Sequence, residues 1–214
     1  MTFETDMKKI LIDLQYLPSV AYFTALYQAE EVWIEGHEHF VKQTYRSRCR
    51  ILGVHGVQDL NIPVHQHGGV KVPSQDITID YKQKWANNHW RSIQSAYGKA
   101  PFFDYYADPI REVILSQPNR LFELNWQLLT ICLKCLGMNT ELRQTRQFDT
   151  KPMGDIVDLR GKNTPKKHQD TYWHRDEPYY QIFGNNFVPN LTIIDLLFNE
   201  GPMAPVLLQK SVVR

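Results

Sequence analysis

The sequence predicts an α/β fold, in which an N-terminal βαβ-type mixed sheet has a helical second half packed against it. Three observations carry this. An apolar run, a helical stripe and a second apolar run follow one another within the first 35 residues. Short apolar runs separated by Gly-containing turns continue to Tyr81, and from Trp85 onward the apolar spacing becomes helical.

Residues 8–15, KKILIDLQ, are rich in Ile and Leu and read as a buried strand. Pro18 opens a helix, because Ser19, Tyr22, Phe23, Leu26 and Tyr27 recur at spacings that build one apolar stripe. Glu31–Glu35, EVWIE, is a short strand that stops at Gly36. Strand, helix and strand within about 28 residues make a βαβ unit, with a parallel pair and a right-handed crossover. Arg50–Leu52, Asp59–Val64 and Ile77–Tyr81 are further strand candidates. Trp85, His89, Ile93, Ala96 and Tyr97 line one helix, which Gly98 stops. Asp108 is expected to cap another helix, with Pro109 first and Ile110, Val113 and Ile114 facing inward. Leu121, Leu124, Leu128, Cys132 and Cys135 line the next, closed by Gly137, and a final helix over 190–199 is nearly apolar all round. The chain reads as one domain over 1–214. Within it, 149–171 is expected as a long exposed loop, since Pro152, Gly154, Gly161 and Pro165 interrupt every period.

Composition narrows the function classes. Lys plus Arg is 24 and Asp plus Glu is 23 in 214 residues, so whole-chain charge argues for no polyanionic partner. Three cysteines, Cys49, Cys132 and Cys135, are poor material for a disulfide framework and fit a reducing compartment. The opening MTFETDMKKILIDL lacks the basic start and long apolar region of a signal peptide. No window approaches the roughly 18 apolar residues of a membrane span, and the expectation is a cytoplasmic protein.

Ligands of open α/β sheets bind beyond the carboxyl ends of the strands. The first strand delivers Gln15 and Tyr16 there, and the second delivers Glu35, Gly36, His37, Glu38 and His39. Lys42-Gln43-Thr44-Tyr45-Arg46-Ser47-Arg48-Cys49-Arg50 follows, with four cations and no acid. Arg48 and Arg50 share a strand face and can grip a carboxylate or phosphate bidentately; the bland alternative is a solvated basic edge. His37-Glu38-His39 and His65-Gln66-His67 resemble metal-ligand pairs. The first lacks the helical i, i+4 spacing of zinc hydrolases and the second precedes Gly68-Gly69, so no native metal site is expected. Cys132 and Cys135 form one CxxC on an apolar stripe, which reads as core. His89, four residues from both Trp85 and Ile93, is either a core histidine with its hydrogen bonds satisfied or a partly buried general base. Asn125 also sits on an apolar stripe. Asp195 interrupts an apolar helix and calls for a basic partner, for which Arg48 is the candidate.

The stretch LQYLPSVAYFTALYQAEEVWIEGHEHFVKQTYRSRCRI resembles the opening of the WbqC-like protein family, matching at Tyr16, Leu17, Pro18, Tyr22, Phe23, Lys42, Tyr45, Arg48, Arg50 and Ile51. NIPV (61–64), KWANNHWRSIQSAYGKAPFF (84–103) and PNLTIIDLLFNEGP (189–202) are similar to family blocks as well. The chain departs from the family at Gly36 and His37, where many members carry paired aspartates, at His39, where a Gln is common, and at Leu14-Gln15, which replaces Gln-Pro. The resemblance implies a bacterial protein of surface-polysaccharide (O-antigen) biosynthesis, and a transferase placing an acyl or aminoacyl group, such as glycyl, on an activated amino sugar.

On that reading His89 is the first choice of general base and His39 the second. Tyr16 and Tyr45 orient sugar hydroxyls, and Lys42, Arg48 and Arg50 hold phosphates of a nucleotide- or lipid-linked substrate. Gln15, Glu35, His37 and Asn125 complete the binding site. Partners are an activated sugar and an acyl or aminoacyl donor, with tRNA as a carrier for the latter, and no cofactor is required. The alternatives are a non-catalytic adaptor of a glycan-assembly complex, an RNA-binding protein using Lys42–Arg50 with Lys162, Lys166 and Lys167, and a metal-dependent hydrolase.

Overall fold

A computed structural model describes residues 7–65, 68–152, 154–166, 171–184 and 186–213. The expected βαβ start is present as β1 (Lys9–Asp13), α1 (Val20–Gln28) and β2 (Glu31–Glu35). Ser19 caps α1 by accepting the Tyr22 N–H, which satisfies one of the donors a helix start leaves free. β1 and β2 run parallel in the register Lys9↔Glu31 to Asp13↔Glu35. Two further parallel strands complete the sheet in the order β5-β2-β1-β6, with β5 at Glu141–Gln144 and β6 at Val157–Asp158. The strand period puts Ile10, Ile12, Val32 and Ile34 on one face, where they join the main core, and Leu11, Asp13, Trp33 and Glu35 on the other.

β3 (Arg48–Gly53) and β4 (Gly56–Asn61) form an antiparallel hairpin, separate from the sheet. Cys49 and Ile51 point into the core, which leaves Arg48 and Arg50 together on the half-buried face. The expected strand over 77–81 is reduced to isolated bridges, Val64↔Ile79 and Thr78↔Arg120, although Ile77 and Ile79 are buried.

The helical half holds α2 (Trp85–Tyr97), α3 (Phe103–Leu115), α4 (Leu121–Cys135), α5 (Ile193–Glu200) and α6 (Ala204–Lys210). α3 begins six residues before Pro109, so Asp108 lies exposed within the helix and caps nothing. Burial decides this. Phe103 packs edge-on to Phe198 at 5.0 Å and stacks on Trp90 at 6.1 Å, and Ala107 continues the stripe to Ile110 and Ile114. Apolar contact of that size outweighs the one backbone bond a proline removes. Cys132 is fully buried and Cys135 half-buried, both as free thiols in the wall of α4.

Gly201, between α5 and the 3-10 turn Gly201–Met203, has φ +51, and a Cβ there would stand 2.5 Å from the Phe102 ring. Gly201→Ala therefore meets both a left-handed backbone and an immovable ring. We expect it to lose on the order of 1–3 kcal/mol in urea denaturation, while Gly137→Ala, whose Cβ would meet nothing, loses only the backbone part.

The segment 149–171 is not simply an exposed loop. It supplies β6, the buried Leu159 and the buried Asn163. No helix among the described residues is long and apolar enough to cross a membrane.

Candidate functional site at the carboxyl ends of β1 and β2

The parallel register sets Asp13 beside Glu35 on one face, at the last positions of two adjacent strands. Both carboxylates are 1% exposed, so each requires partners. Arg46 Nη1 lies 3.5 Å from Asp13 Oδ2, and Arg46 Nε donates to Glu38 Oε1 at 2.9 Å, with Nη2 reaching the same oxygen. Gly161 N–H donates to Asp13 Oδ1 at 2.7 Å, and Gln15 Nε2 donates to Asp13 Oδ2 at 3.1 Å. Arg160 bridges Glu35 Oε2 at 3.0 Å and grips Asp158 with a two-pronged fork at 2.9 and 2.7 Å. Glu35 Oε1 accepts from His37 N–H at 2.7 Å and from the Thr145 hydroxyl at 2.9 Å. Asn163 donates to Gln15 Oε1 and Ser19 Oγ, closing the cluster over the end of β1.

Four carboxylates, Asp13, Glu35, Glu38 and Asp158, thus share two guanidiniums, Arg46 and Arg160. Glu38 stands at the rim, its side chain 12% exposed. Both of its bonds to Arg46 land on Oε1, and Oε2 has no partner among the described residues. Burial pushes the Glu38 carboxyl up to about 7; Arg46 opposes this, and the Asp13 and Glu35 charges add to it. Its neighbours Asp13 and Glu38 keep Arg46 protonated despite its burial. A carboxyl poised near neutrality, with one free oxygen at the mouth of a buried ionic cluster, can accept and release a proton.

The other candidates divide. Gln15, Glu35 and His37 belong to this cluster. The His37 ring donates from Nε2 to Thr145 O and accepts at Nδ1 from Gln75, which fixes its tautomer and leaves no lone pair for a metal. Asn125 secures the segment bearing Arg46 by donating to the Arg46 carbonyl at 2.8 Å. Gly36 lies against Gln144, Gln75 and Phe122, which would meet a Cβ at 3.0–3.2 Å.

The candidates Gln15, Tyr16, His39, Lys42, Arg48 and His89 are not brought together around one site. His39 and Lys42 are exposed. Tyr16 and His89 are paired in the core, where the tyrosine hydroxyl meets His89 Nδ1 at 3.0 Å and Nε2 faces Asn61 O at 3.2 Å. Burial holds His89 down to about 4, so the ring is neutral with both nitrogens occupied, the arrangement of a structural histidine. Tyr45 is buried, its hydroxyl accepting from Asn190 at 2.8 Å and its carbonyl accepting from Tyr16 N–H. Arg50 faces Asp59 at 3.6 Å on the hairpin, and Arg48 keeps a buried Nε that has no hydrogen-bond partner among the described residues. Asp195 does not pair with Arg48: it accepts from Tyr179 at 2.6 Å and Gln181 at 3.0 Å, and burial raises its carboxyl. The second histidine pair extends over Gln66 and His67, outside the described residues, as does Lys167 of the basic loop. Asp13, Arg46, Arg160 and Asn163 were not among the expected site residues, and Glu38 was named there only as a strand-end neighbour.

The chain matches the WbqC-like protein family over residues 15–164 and 166–206. It is 27% identical over 225 residues to the uncharacterized protein Rv1507c of Mycobacterium tuberculosis, covering 93% of this chain and 96% of that one. No solved structure matches it.

Proposed function

Because the chain belongs to the WbqC-like protein family, we propose that it is a transferase that modifies an activated amino sugar, nucleotide- or lipid-linked, during bacterial surface-polysaccharide assembly. The group moved is acyl or aminoacyl, glycyl being the smallest aminoacyl case. The observation that carries this reading is the carboxylate excess at the ends of β1 and β2, with Glu38 Oε2 free at its rim. Such a site attracts an ammonium group and repels the phosphates of the same substrate, so it selects the amine end.

Glu38 Oε2 takes a proton from the sugar ammonium. The amine lone pair then forms the new C–N bond at the donor's acyl carbon, the bond to the donor's leaving oxygen or sulfur breaks, and the second N–H proton leaves with that group. Asp13 and Glu35, fixed by Arg46 and Arg160, hold the field in which this happens without reorganising. Lys42, Arg48 and Arg50 are the cations assigned to the substrate's phosphates, Arg50 leaving its half-exposed pair with Asp59 to do so. His89 is assigned the support of Tyr16, and the base is Glu38.

The test is mass spectrometry of nucleotide- and lipid-linked amino sugars incubated with the protein and either acyl thioesters or aminoacyl-tRNA. The expected result is one sugar gaining the mass of one acyl or aminoacyl residue. If no sugar gains mass or shifts the melting temperature, and a pulldown recovers glycan-assembly proteins, the adaptor reading replaces this one.

A further inference from the structure

Parallel sheets are ordinarily covered by helices on both faces. Here the part of the face bearing Leu11, Trp33 and Glu35 is lined instead by the irregular segment that follows β5, and among the described residues the covering is incomplete. A slot of about 170 Å³ remains, floored by Leu11 and Trp33, walled by Ile156 and ending at Glu35 and Thr145. Leu11 is buried yet lies outside the main core cluster, so its cover is this slot's wall and not the packed interior.

The Trp33 indole is held in place before any ligand arrives. Its Nε1–H donates to Glu31 at 2.8 Å, and the Arg143 guanidinium packs over the ring at 5.7 Å. The rim is polar and carries both Arg146 and Asp149; the Asp149 carboxylate accepts from Gln147 at 3.2 Å and forms no ion pair among the described residues. The volume falls below the roughly 300–1,000 Å³ of drug-sized sites, which suits one ring and not a nucleotide. A flat apolar platform, a polar rim and an unpaired carboxylate match a pyranose, with its C–H face, its hydroxyls and an ammonium substituent.

We propose that this slot is the subsite for the pyranose ring of an amino sugar, with Trp33 beneath the ring and Asp149 receiving the ammonium. The assignment rests on the transferase reading above but is tested apart from it. In ¹H–¹⁵N spectra the five tryptophans give five indole signals, and Trp33→Phe identifies the one from Trp33. Titration with free 2-amino and 4-amino hexoses is expected to move that signal saturably, with glucose at least about tenfold weaker because it lacks the charge-assisted bond. Asp149→Asn should bring the amino sugars to the level of glucose, and Ile156→Trp, which fills the slot from its wall, should abolish the response. A Trp33 signal unmoved by every amino hexose, or moved equally in Ile156→Trp, overturns the slot. Acyl transfer with Trp33 unmoved would overturn the slot alone, whereas saturable binding with no acylated product would leave the slot standing and remove the transferase reading.

Discussion

Arg46→Met is expected to lower stability by about 3–5 kcal/mol, the cost of leaving buried carboxylates without their counter-ion. The Arg46 side chain is 4% exposed and touches those of Asp13 and Glu38, which are 2% and 12% exposed. Methionine keeps much of the volume, so the loss measures charge more than a cavity. The sign of the pH dependence separates the two. Without Arg46 the carboxyls hold protons to higher pH, so acidification neutralises the unpaired charge. The deficit in urea denaturation should then shrink from pH 8 to pH 5, whereas a packing defect would stay constant. Arg50→Met supplies the contrast: its pair with Asp59 spans 3.6 Å with side chains 29% and 43% exposed, and losing it should cost no more than about 1 kcal/mol. Equal losses in the two variants would mean that Arg46 does not pin the strand ends.

The place of this cluster was legible in the sequence, but its charge was not. β1, α1 and β2 announce themselves by apolar period, which directs attention to Gln15, Glu35 and His37, and all three lie where those strands end. Asp13 is also visible in retrospect, an acid closing an otherwise apolar strand. The four cations from Lys42 to Arg50 cannot be sorted by a two-residue period, because 42–47 is not a strand. Gln43 takes φ +59 and Thr44 closes the turn on Val41 O, and this turns Arg46 inward while Lys42 stays in water. β5 escapes notice because ELRQ is polar and mostly exposed, and β6 because two residues carry no period; both exist by pairing with β2 and β1. Arg160 and Asn163 reach the site from residues 125 and 148 positions away in the chain, a closeness that no local pattern encodes. His89 shows the opposite case. Its helix and buried face follow from spacing, but only the contacts to Tyr16 and Asn61 reveal that its nitrogens are already taken.

Glu38→Gln is expected to reduce acyl transfer by about 10²–10⁴-fold, the usual contribution of a positioned general base. The amide keeps the shape of the carboxylate and still offers an oxygen to Arg46, so the variant should fold with the cluster intact. In the wild-type protein the base must be ionised, and its carboxyl is pushed up to about 7. The rate should therefore climb about tenfold per pH unit below that value and level off above it, with Glu38→Gln losing this rise. Stability should move the other way. A carboxyl raised from an ordinary 4.5 in the unfolded chain favours the fold most when protonated, so its contribution is full below 4.5 and is lost as pH rises through about 7. The difference is on the order of 3 kcal/mol. Glutamine does not titrate, so at pH 8 the inactive variant should unfold at the same or higher urea concentration than the active protein. A group retained for chemistry at the expense of stability behaves in this way, and a merely structural carboxylate does not. A Glu38→Gln protein that transfers at the wild-type rate with an unchanged pH profile would take the base away from Glu38, whatever happens to its melting temperature.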